Sequence, residues 1–554
     1  MFPKSLATES KEVSFGIIDG ERLIKPTTAV ALLVTYLAGC ILGRSENPQI
    51  EDHFRDEISR ESQYNFRNPV DFARWYFGKT LGFLFLNSLL CTLFFCWVCG
   101  IISDKYGRVR TMQLFLLLSG AGFAYLFSRN YEFELLGQFL LSCALGCCIS
   151  APIYLAEISP VPYRSFLLGL VPITIALGMF SMDAIDVLGL ENPSRTFIWI
   201  CFIGFGFSLF LHEAPEWLVI KNKLDAAMNS LRWLHESDED ADCDLRKLQD
   251  LWMGRYGRLE EGTVMGLFKK SSWKPYSMIL GLALFQHLAG FYIMLFDAPY
   301  MVNRYRTTIY LFNTYIGSDF MLLIATVVAL FLQSIFNRRS VAMISGITSA
   351  MALLGLLIHS IILEQGMNDS LSSATLTLAS NATTFEAATN ATNIEFFLDG
   401  SDAPAAIPDV ASNSITTTTL GPSYQPTLSE PESKVMTVPT ACFITYIVSV
   451  VAGVWTLPWI MIFEVFPIRS RGILCAASFS AMYALLFAFE ARLNNYLLGA
   501  FELDALLSLF IVGSIGFVIY SRSVLVETHK KSFDEIERSF MKPKMFLPMN
   551  DEKI

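Results

Sequence analysis

Two eight-residue stretches carry charges that could do chemistry inside an otherwise apolar chain. Glu157-Ile158-Ser159-Pro160-Val161-Pro162-Tyr163-Arg164 and Glu464-Val465-Phe466-Pro467-Ile468-Arg469-Ser470-Arg471 both read E-x-x-P-x-x-x-R, and each follows a long apolar run. A carboxylate and a guanidinium so placed can make charge-assisted pairs that form or break as neighbouring segments move. A further charged stretch reads Gly100-Ile101-Ile102-Ser103-Asp104-Lys105-Tyr106-Gly107-Arg108-Val109-Arg110. Here Asp104 ends a helix and can pair with a basic group, Gly107 permits a tight turn, and Arg108 can bridge to carboxylates on neighbouring helix ends. The twin motif marks an internal repeat, and a chain built twice over has two halves that can rock about a site between them. No constellation of residues supports enzymatic activity or calls for a cofactor.

The elements that must hold these charges are membrane helices. Hydrophobic residues make up 53% of 554 positions, charged residues 17%, and Phe occurs 45 times; the mean hydropathy is +0.44. Runs of roughly 17–25 apolar residues, long enough to span a hydrocarbon core of about 30 Å, fall at twelve places: 26–43, 78–102, 111–128, 134–156, 165–188, 195–211, 276–301, 312–336, 341–363, 437–464, 473–491 and 504–525. The first follows a polar head with Lys4, Lys11, Arg22 and Lys25 and no cleavage site follows Gly43, so it reads as a membrane helix and not a signal peptide. Short basic loops holding Lys105, Arg108 and Arg110, then Arg338 and Arg339, then Arg469 and Arg471 all fall on the side of the amino terminus. The positive-inside bias places that side, and both termini, in the cytosol. The expected division is a cytosolic segment 1–25, a six-helix bundle 26–211, a cytosolic linker 212–275 with amphipathic helices, a second bundle 276–525 and a cytosolic tail 526–554.

A net charge of -10 reads as solvated loops, with acid clustered at Glu51 to Asp56 and Glu236 to Asp244, and gives no reason to expect a nucleic-acid partner. Ten of eleven cysteines lie within the expected membrane helices and Cys243 in the linker, so neither a structural disulfide nor a metal site is expected. Residues 364–436 are rich in Ser, Thr, Ala, Asn and Pro and lack apolar periodicity, which reads as a disordered outer loop. It holds three sequons, at Asn368, Asn381 and Asn390, on the side assigned to the outside, so glycosylation is expected there. The two copies of the repeat keep their spacing except between the second and fourth helices of the second half, which locates this loop as an insertion.

The stretch after the second helix resembles the G-x-x-x-D-R-x-G-R-R signature of the major facilitator superfamily. Pro152-Ile153-Tyr154-Leu155-Ala156-Glu157 through Arg164 resembles the P-x-Y-x-x-E-x-x-P-x-x-x-R-G signature of its sugar porters. That group includes the facilitative hexose carriers and the insect trehalose carriers. Pro458-Trp459 through Glu464, Pro467, Arg471 and Gly472 resembles the P-W…E-x-F-P-x-x-x-R-G stretch of the same group, and Val526-Glu527-Thr528 through Glu537 resembles its final P-E-T-K-G-K-x-x-E-E-I-E. The resemblance implies an all-α membrane protein with twelve transmembrane helices in two pseudo-symmetric six-helix halves. It also implies an ion-pair belt that closes an inner gate, formed here by Asp104, Gly107, Arg108, Glu157, Arg164, Glu213, Arg338, Arg339, Glu464, Arg471 and Glu527.

The implied pocket departs from the pattern. Where sugar porters carry Q-Q-x-x-G-x-N in helix 7, this chain reads Gln286-His287-Leu288-Ala289-Gly290-Phe291-Tyr292. Gln286, His287 and Tyr292 still offer donors and acceptors for a polyol, and Trp459 offers an aromatic plate for the apolar face of a sugar ring. Pro172 stands where a sugar-binding Gln is usual, and Met482 where Asn is frequent. The proton-linked members carry a carboxylate in helix 1 and an Arg in helix 4; here helix 1 has no acid from Pro26 to Gly43, and Gln138 replaces the Arg, which favours downhill exchange. Asp297, Glu490 and Arg492 read as an outer-rim ion pair or water-facing ends, with a relocated proton site as the alternative. Glu216 replaces the final Arg of P-E-S-P-R and Ser334 the acid of the second D-x-x-G-R-R, so a weaker inner gate than usual is expected. Together these features imply a plasma-membrane carrier of a sugar or polyol. A non-sugar organic solute and a non-transporting nutrient sensor remain as alternatives, and the oligomeric state is open.

Overall fold

The computed structural model describes residues 26–45, 88–127, 131–188, 193–235, 237–256, 270–296, 315–362, 365, 437–488 and 503–541. Regular structure among them is entirely helical. The first half comprises α1 (Pro26–Ser45), α2 (Ser88–Tyr106), α3 (Arg108–Phe127), α4 (Tyr131–Cys147), α5 (Ser150–Ile158), α6 (Val161–Val187) and α7 (Pro193–Ser208). Three helices follow in the connecting segment: α8 (Pro215–Ile220), α9 (Leu224–Leu234) and α10 (Asp238–Tyr256). The second half begins with α11 (Lys270–Leu288), α12 (Phe291–Phe296) and α13 (Tyr315–Ile335), then α14 (Arg338–Ile362). It ends with α15 (Thr437–Ser449), a π-helical turn at Val450–Trp455, α16 (Thr456–Val465), α17 (Arg471–Ala488) and α18 (Leu503–Val524). The tail carries α19 (Phe533–Met541).

Each of the twelve apolar runs holds helix among its described residues, and three of these helices are broken. Among the described residues seven helices are long and apolar enough by themselves to cross a membrane. Their outward faces are oily: Phe94, Phe202, Met351 and Val512 are 63–69% exposed. A face this apolar is stable only against lipid, so the chain is an integral, multi-pass membrane protein. The helices run past the apolar limits read from sequence at their charged ends, because the charges there are paired. Only Gly107 separates α2 from α3, at φ +117°, a conformation that glycine adopts without strain.

Two helix pairs join the halves, α2 with α17 and α6 with α13. Lipid gives little hydrophobic drive between helices, so small residues and buried polar contacts take over. A Cβ on Gly100 would strike Ala476, one on Gly472 would strike the Asp104 carboxylate, and one on Gly169 would strike Leu330. The breaks place backbone and polar groups inside the bundle. Gly290, at φ +78°, turns the chain between α11 and α12, and the π-helical turn packs Gly453 against Ser345. Such turns recur at functional sites because they free a carbonyl or an amide; here the Ala452 carbonyl accepts from Gln333 Nε2 at 3.0 Å.

Candidate functional site: a charged belt between the halves and a buried aromatic cluster

Arg108, Arg338 and Arg471 are among the largest fully buried side chains of the molecule, and a buried guanidinium needs a partner for each of its donors. Arg108 donates to the Ser103 carbonyl at 2.8 Å, to Asp104 Oδ1 at 2.9 Å, and through Nε and Nη2 to both oxygens of Glu157 at 3.3 and 3.1 Å. Asp104 in turn accepts the backbone N–H groups of Gly472 and Ile473, each at 3.0 Å, at the start of α17 in the other half. Arg471 Nη1 closes the link from the second half, at 3.3 Å from Glu157 Oε1 and 3.3 Å from Glu216 Oε2. The carboxylates of one half thus hold the helix start and the arginine of the other.

The second half repeats the scheme. Arg338 Nη2 reaches Glu464 Oε1 at 3.1 Å and, across the interface, Ser165 Oγ at 3.1 Å. Its Nη1 donates to the carbonyl and the side-chain oxygen of Gln333 at 3.2 and 3.1 Å. Glu213 and Glu527 play matched roles. Glu213 accepts the first backbone N–H groups of α3, from Arg108, Val109 and Arg110, at 2.9–3.2 Å. Glu527 accepts those of α14, from Arg338 and Arg339, at 3.0 and 3.2 Å. A carboxylate at a helix amino end satisfies orphan donors and meets the positive end of the dipole. Burial still raises the Glu213 carboxyl above the ordinary carboxylate range against these hydrogen bonds. Burial likewise pushes Glu216 up to about 7, opposed by Arg471 and reinforced by the negative charge of Glu157.

The tail completes the belt. Phe533, at the start of α19, lies between two arginines from different halves, its ring centroid 3.6 Å from the Arg164 guanidinium carbon and 3.9 Å from that of Arg471. Arg164 also donates to the Lys531 and Ser159 carbonyls at 3.4 and 3.5 Å. Thr528 Oγ1 donates to Glu464 Oε2 at 2.6 Å, and Lys274 Nζ donates to the Phe540 carbonyl at 3.0 Å.

Deeper in the bundle an aromatic chain runs from the break in α11 to α17. His287 stacks on Tyr292 with ring centroids 4.8 Å apart; Phe291 stacks on Trp455 at 5.5 Å, and Trp455 leads to Trp459 and on to Phe479 at 6.0 and 5.0 Å. Gln286 is fully buried and donates to the Tyr292 hydroxyl at 3.0 Å. His287 Nδ1 lies 2.7 Å from the Ala283 carbonyl, an acceptor, so Nδ1 carries a hydrogen. Gln286 Oε1 and Trp459 Nε1 are buried without a protein partner among the described residues. One acceptor and one donor beside aromatic faces are what a hydroxylated ring can use.

A family model for sugar (and other) transporters matches residues 55–386, more than half of the chain. The chain belongs to the sugar transporter family of the major facilitator superfamily. A Bacillus subtilis metabolite transport protein, YfiG, is 22% identical over 489 residues, covering 83% of this chain and 84% of its own. A facilitated trehalose transporter of Drosophila sechellia is 24% identical over 427 residues, 74% of this chain and 72% of its own. Among solved structures, the proton:xylose symporter XylE of E. coli bound to 6-bromo-6-deoxy-D-glucose has a TM-score of 0.61 at 15% identity, covering 93% of this chain and 98% of that one. That likeness shows the major facilitator fold.

In this sugar transporter family member the structure brings Asp104, Gly107, Arg108, Glu157, Arg338, Glu464 and Arg471 together with Glu213 and Glu527 in the belt. Two positions differ in kind from the expectation. Arg164 packs its guanidinium on Phe533 and donates to carbonyls, and Arg339 Nε donates to the Leu525 carbonyl at 2.6 Å; no ion pair of either with a carboxylate is seen among the described residues. Glu216 pairs with Arg471, and Gln333, the neighbour of Ser334, supplies a side-chain oxygen to Arg338. The role of Gln333 is signalled in the sequence only by an amide one residue before the expected acid, and that of Phe533 only by an aromatic residue in the tail motif. Asn368, Asn381, Asn390, Asp297, Glu490 and Arg492 lie outside the described residues.

Proposed function

We propose that the chain carries a sugar or related polyol down its gradient by alternating access, as a plasma-membrane uniporter with the charged belt on the cytosolic side. The observation that carries the reading is the belt itself: Arg471–Glu157, Asp104–Gly472 and Arg338–Ser165 cross between the halves at buried positions. Parting the halves on that side breaks all three at once and hydrates their charges, so the belt biases a two-state equilibrium and a solute bound between the halves is released as it opens. The bodies that rock are residues 26–211 and 276–525, tethered by the linker 212–275, with the sequons at Asn368, Asn381 and Asn390 glycosylated outside. Gln286 Oε1 and Trp459 Nε1 bind hydroxyls, with Tyr292, His287 and the Trp459 face beside them. Downhill exchange follows from the absence of acid in α1 and from Gln138 in α4.

A second cargo, a non-sugar organic solute with an aromatic or apolar body, is favoured by one observation: Gln286 Nε2 is already committed to Tyr292, which leaves few free amide donors beside the aromatic rings. Purified protein in lipid vesicles, offered radiolabelled hexoses, disaccharides, polyols and organic ions at two pH values, separates the two. The sugar reading expects saturable uptake of a hydroxylated solute, abolished by Gln286→Ala with Trp459→Leu. Saturable uptake of organic ions alone moves the assignment to the second reading, and absence of any saturable flux counts against both.

A further inference from the structure

Gln333, near the end of α13, is where the belt meets the aromatic cluster. It is buried and uses its carboxamide in both directions. On one side Oε1 accepts from Arg338 Nη1 at 3.1 Å, and the same Nη1 donates to the Gln333 carbonyl at 3.2 Å. On the other side Nε2 donates to the Ala452 carbonyl at 3.0 Å and to Thr456 Oγ1. Thr456 Oγ1 in turn donates to the Ala452 carbonyl at 3.1 Å. These acceptors lie within and just after the π-helical turn Val450–Trp455, every residue of which is buried. The same turn carries Trp455, which stacks on Phe291, and one turn later comes Trp459, which meets Phe479. Arg338 is also held from the first half, where its Nη2 donates to Ser165 Oγ at 3.1 Å. A continuous chain of buried hydrogen bonds thus runs from the first half, through Arg338 and Gln333, to the backbone that carries Trp455.

A carboxamide suits this position because it can accept from a cation while donating twice. A carboxylate would accept from Arg338 but offers no hydrogen to Ala452 or Thr456, and an aliphatic side chain offers neither. A guanidinium donating to Oε1 also polarises the amide and strengthens the bonds made by Nε2. The grip on Ala452 and Thr456 is therefore tightest while Arg338 is drawn onto Gln333. Glu464 gives Arg338 a second hold on α16, but at its far end, about 12 Å from Thr456 at 1.5 Å per residue. The opposite side of the turn is fastened by a neutral hydroxyl: the Val454 N–H donates to Ser345 Oγ at 3.2 Å, and Ser345 Oγ donates to the Ser449 carbonyl. We propose that Gln333 is a positioning residue that ties the state of the belt to the placement of Trp455 and Trp459, so that parting the halves at the belt loosens the aromatic cluster at the same time. The consequence for a bound solute rests on the carrier reading: aromatic faces set for binding while the belt is closed lose their register as it opens, which couples release to opening.

Fluorine NMR of the full chain in lipid nanodiscs, with 5-fluorotryptophan in place of its nine tryptophans and no solute added, tests this link. The Trp455 resonance is assigned by its loss in Trp455→Phe. Ser165→Ala removes the first half's hold on Arg338 Nη2 and should displace that resonance in an otherwise wild-type chain. The displacement should be lost when Ser165→Ala is combined with Gln333→Glu, which keeps an acceptor for Arg338 but no donor for the turn, or with Gln333→Leu. Combined with Ser345→Ala, which unfastens the turn from its other side, the displacement should persist. Non-additivity confined to Gln333 is what a linked residue shows and a merely structural one does not. A Trp455 resonance that ignores Ser165→Ala overturns the proposal, as does a displacement that survives either Gln333 variant. The resonance does not depend on transport, so the expected pattern in a protein that moves no sugar would sustain the role of Gln333 while the carrier reading fails.

Discussion

Removing the Arg471 side-chain charge should open the belt, and the size of the effect can be worked from its contacts. In Arg471→Gln the Glu157 carboxylate keeps Arg108, whose Nε and Nη2 lie 3.3 and 3.1 Å from its oxygens. Glu216 loses the guanidinium 3.3 Å away, and Phe533 loses one of its two cationic faces. Taking one partner from a buried pair costs about 3–5 kcal/mol. Glu216, already pushed up to about 7 by burial, can relieve part of that by binding a proton, so the lower limit of about 3 kcal/mol applies. Because the cost falls only on the closed belt, closed-to-open populations should shift about 100-fold. Nitroxide labels at Lys105→Cys and Arg522→Cys, exposed positions on opposite halves, in a Cys243→Ser background, report the separation of the halves by pulsed electron resonance. Wild type should give mainly the short distance and Arg471→Gln mainly the long one. Superimposable distance distributions would refute the reasoning, because a pair worth no more than a surface salt bridge, about 0–1 kcal/mol, could not hold the halves together.

Two other outcomes follow from the same contacts. Phe533→Ala removes a buried ring and two cation–π contacts of about 0.5–2 kcal/mol each, so the tail beyond Val526 should become readily cleaved by protease, whereas Phe533→Tyr should protect it nearly as well as Phe. For Glu216 the folded carboxyl titrates near 7 against an ordinary value of 4.5, so its contribution is fully present below 4.5 and lost as pH rises through about 7. Melting temperatures recorded across that window should fall with rising pH in wild type and less steeply in Glu216→Gln; parallel curves would show that Glu216 is not the group responsible.

What was legible in the sequence was whatever repeats. The twin E-x-x-P-x-x-x-R motif, Asp104 with Arg108, and the pair Glu213 and Glu527 gave the fold, the joint between halves and most of the belt, because each must sit at a helix end whatever the solute. The missing parts are tertiary. Gln333 replaces an acid one residue from the expected position because its side chain, set by helix phase, points at Arg338 where that of Ser334 does not; Ser334 instead donates to the Leu330 carbonyl at 2.7 Å. Glu216 looked like a break in the charge pattern because Arg471, its partner, lies 255 residues away. Phe533 gives no local hint that two arginines from different halves will meet on its faces.

The central claim is that one solute site is exposed alternately to the two sides by halves that part in turn. Counterflow in vesicles tests it most directly: with a transported sugar or polyol loaded inside, entry of labelled solute should saturate, should be accelerated by the internal load, and should transiently exceed the external concentration. Entry that rises linearly with concentration and ignores the internal load would contradict the account.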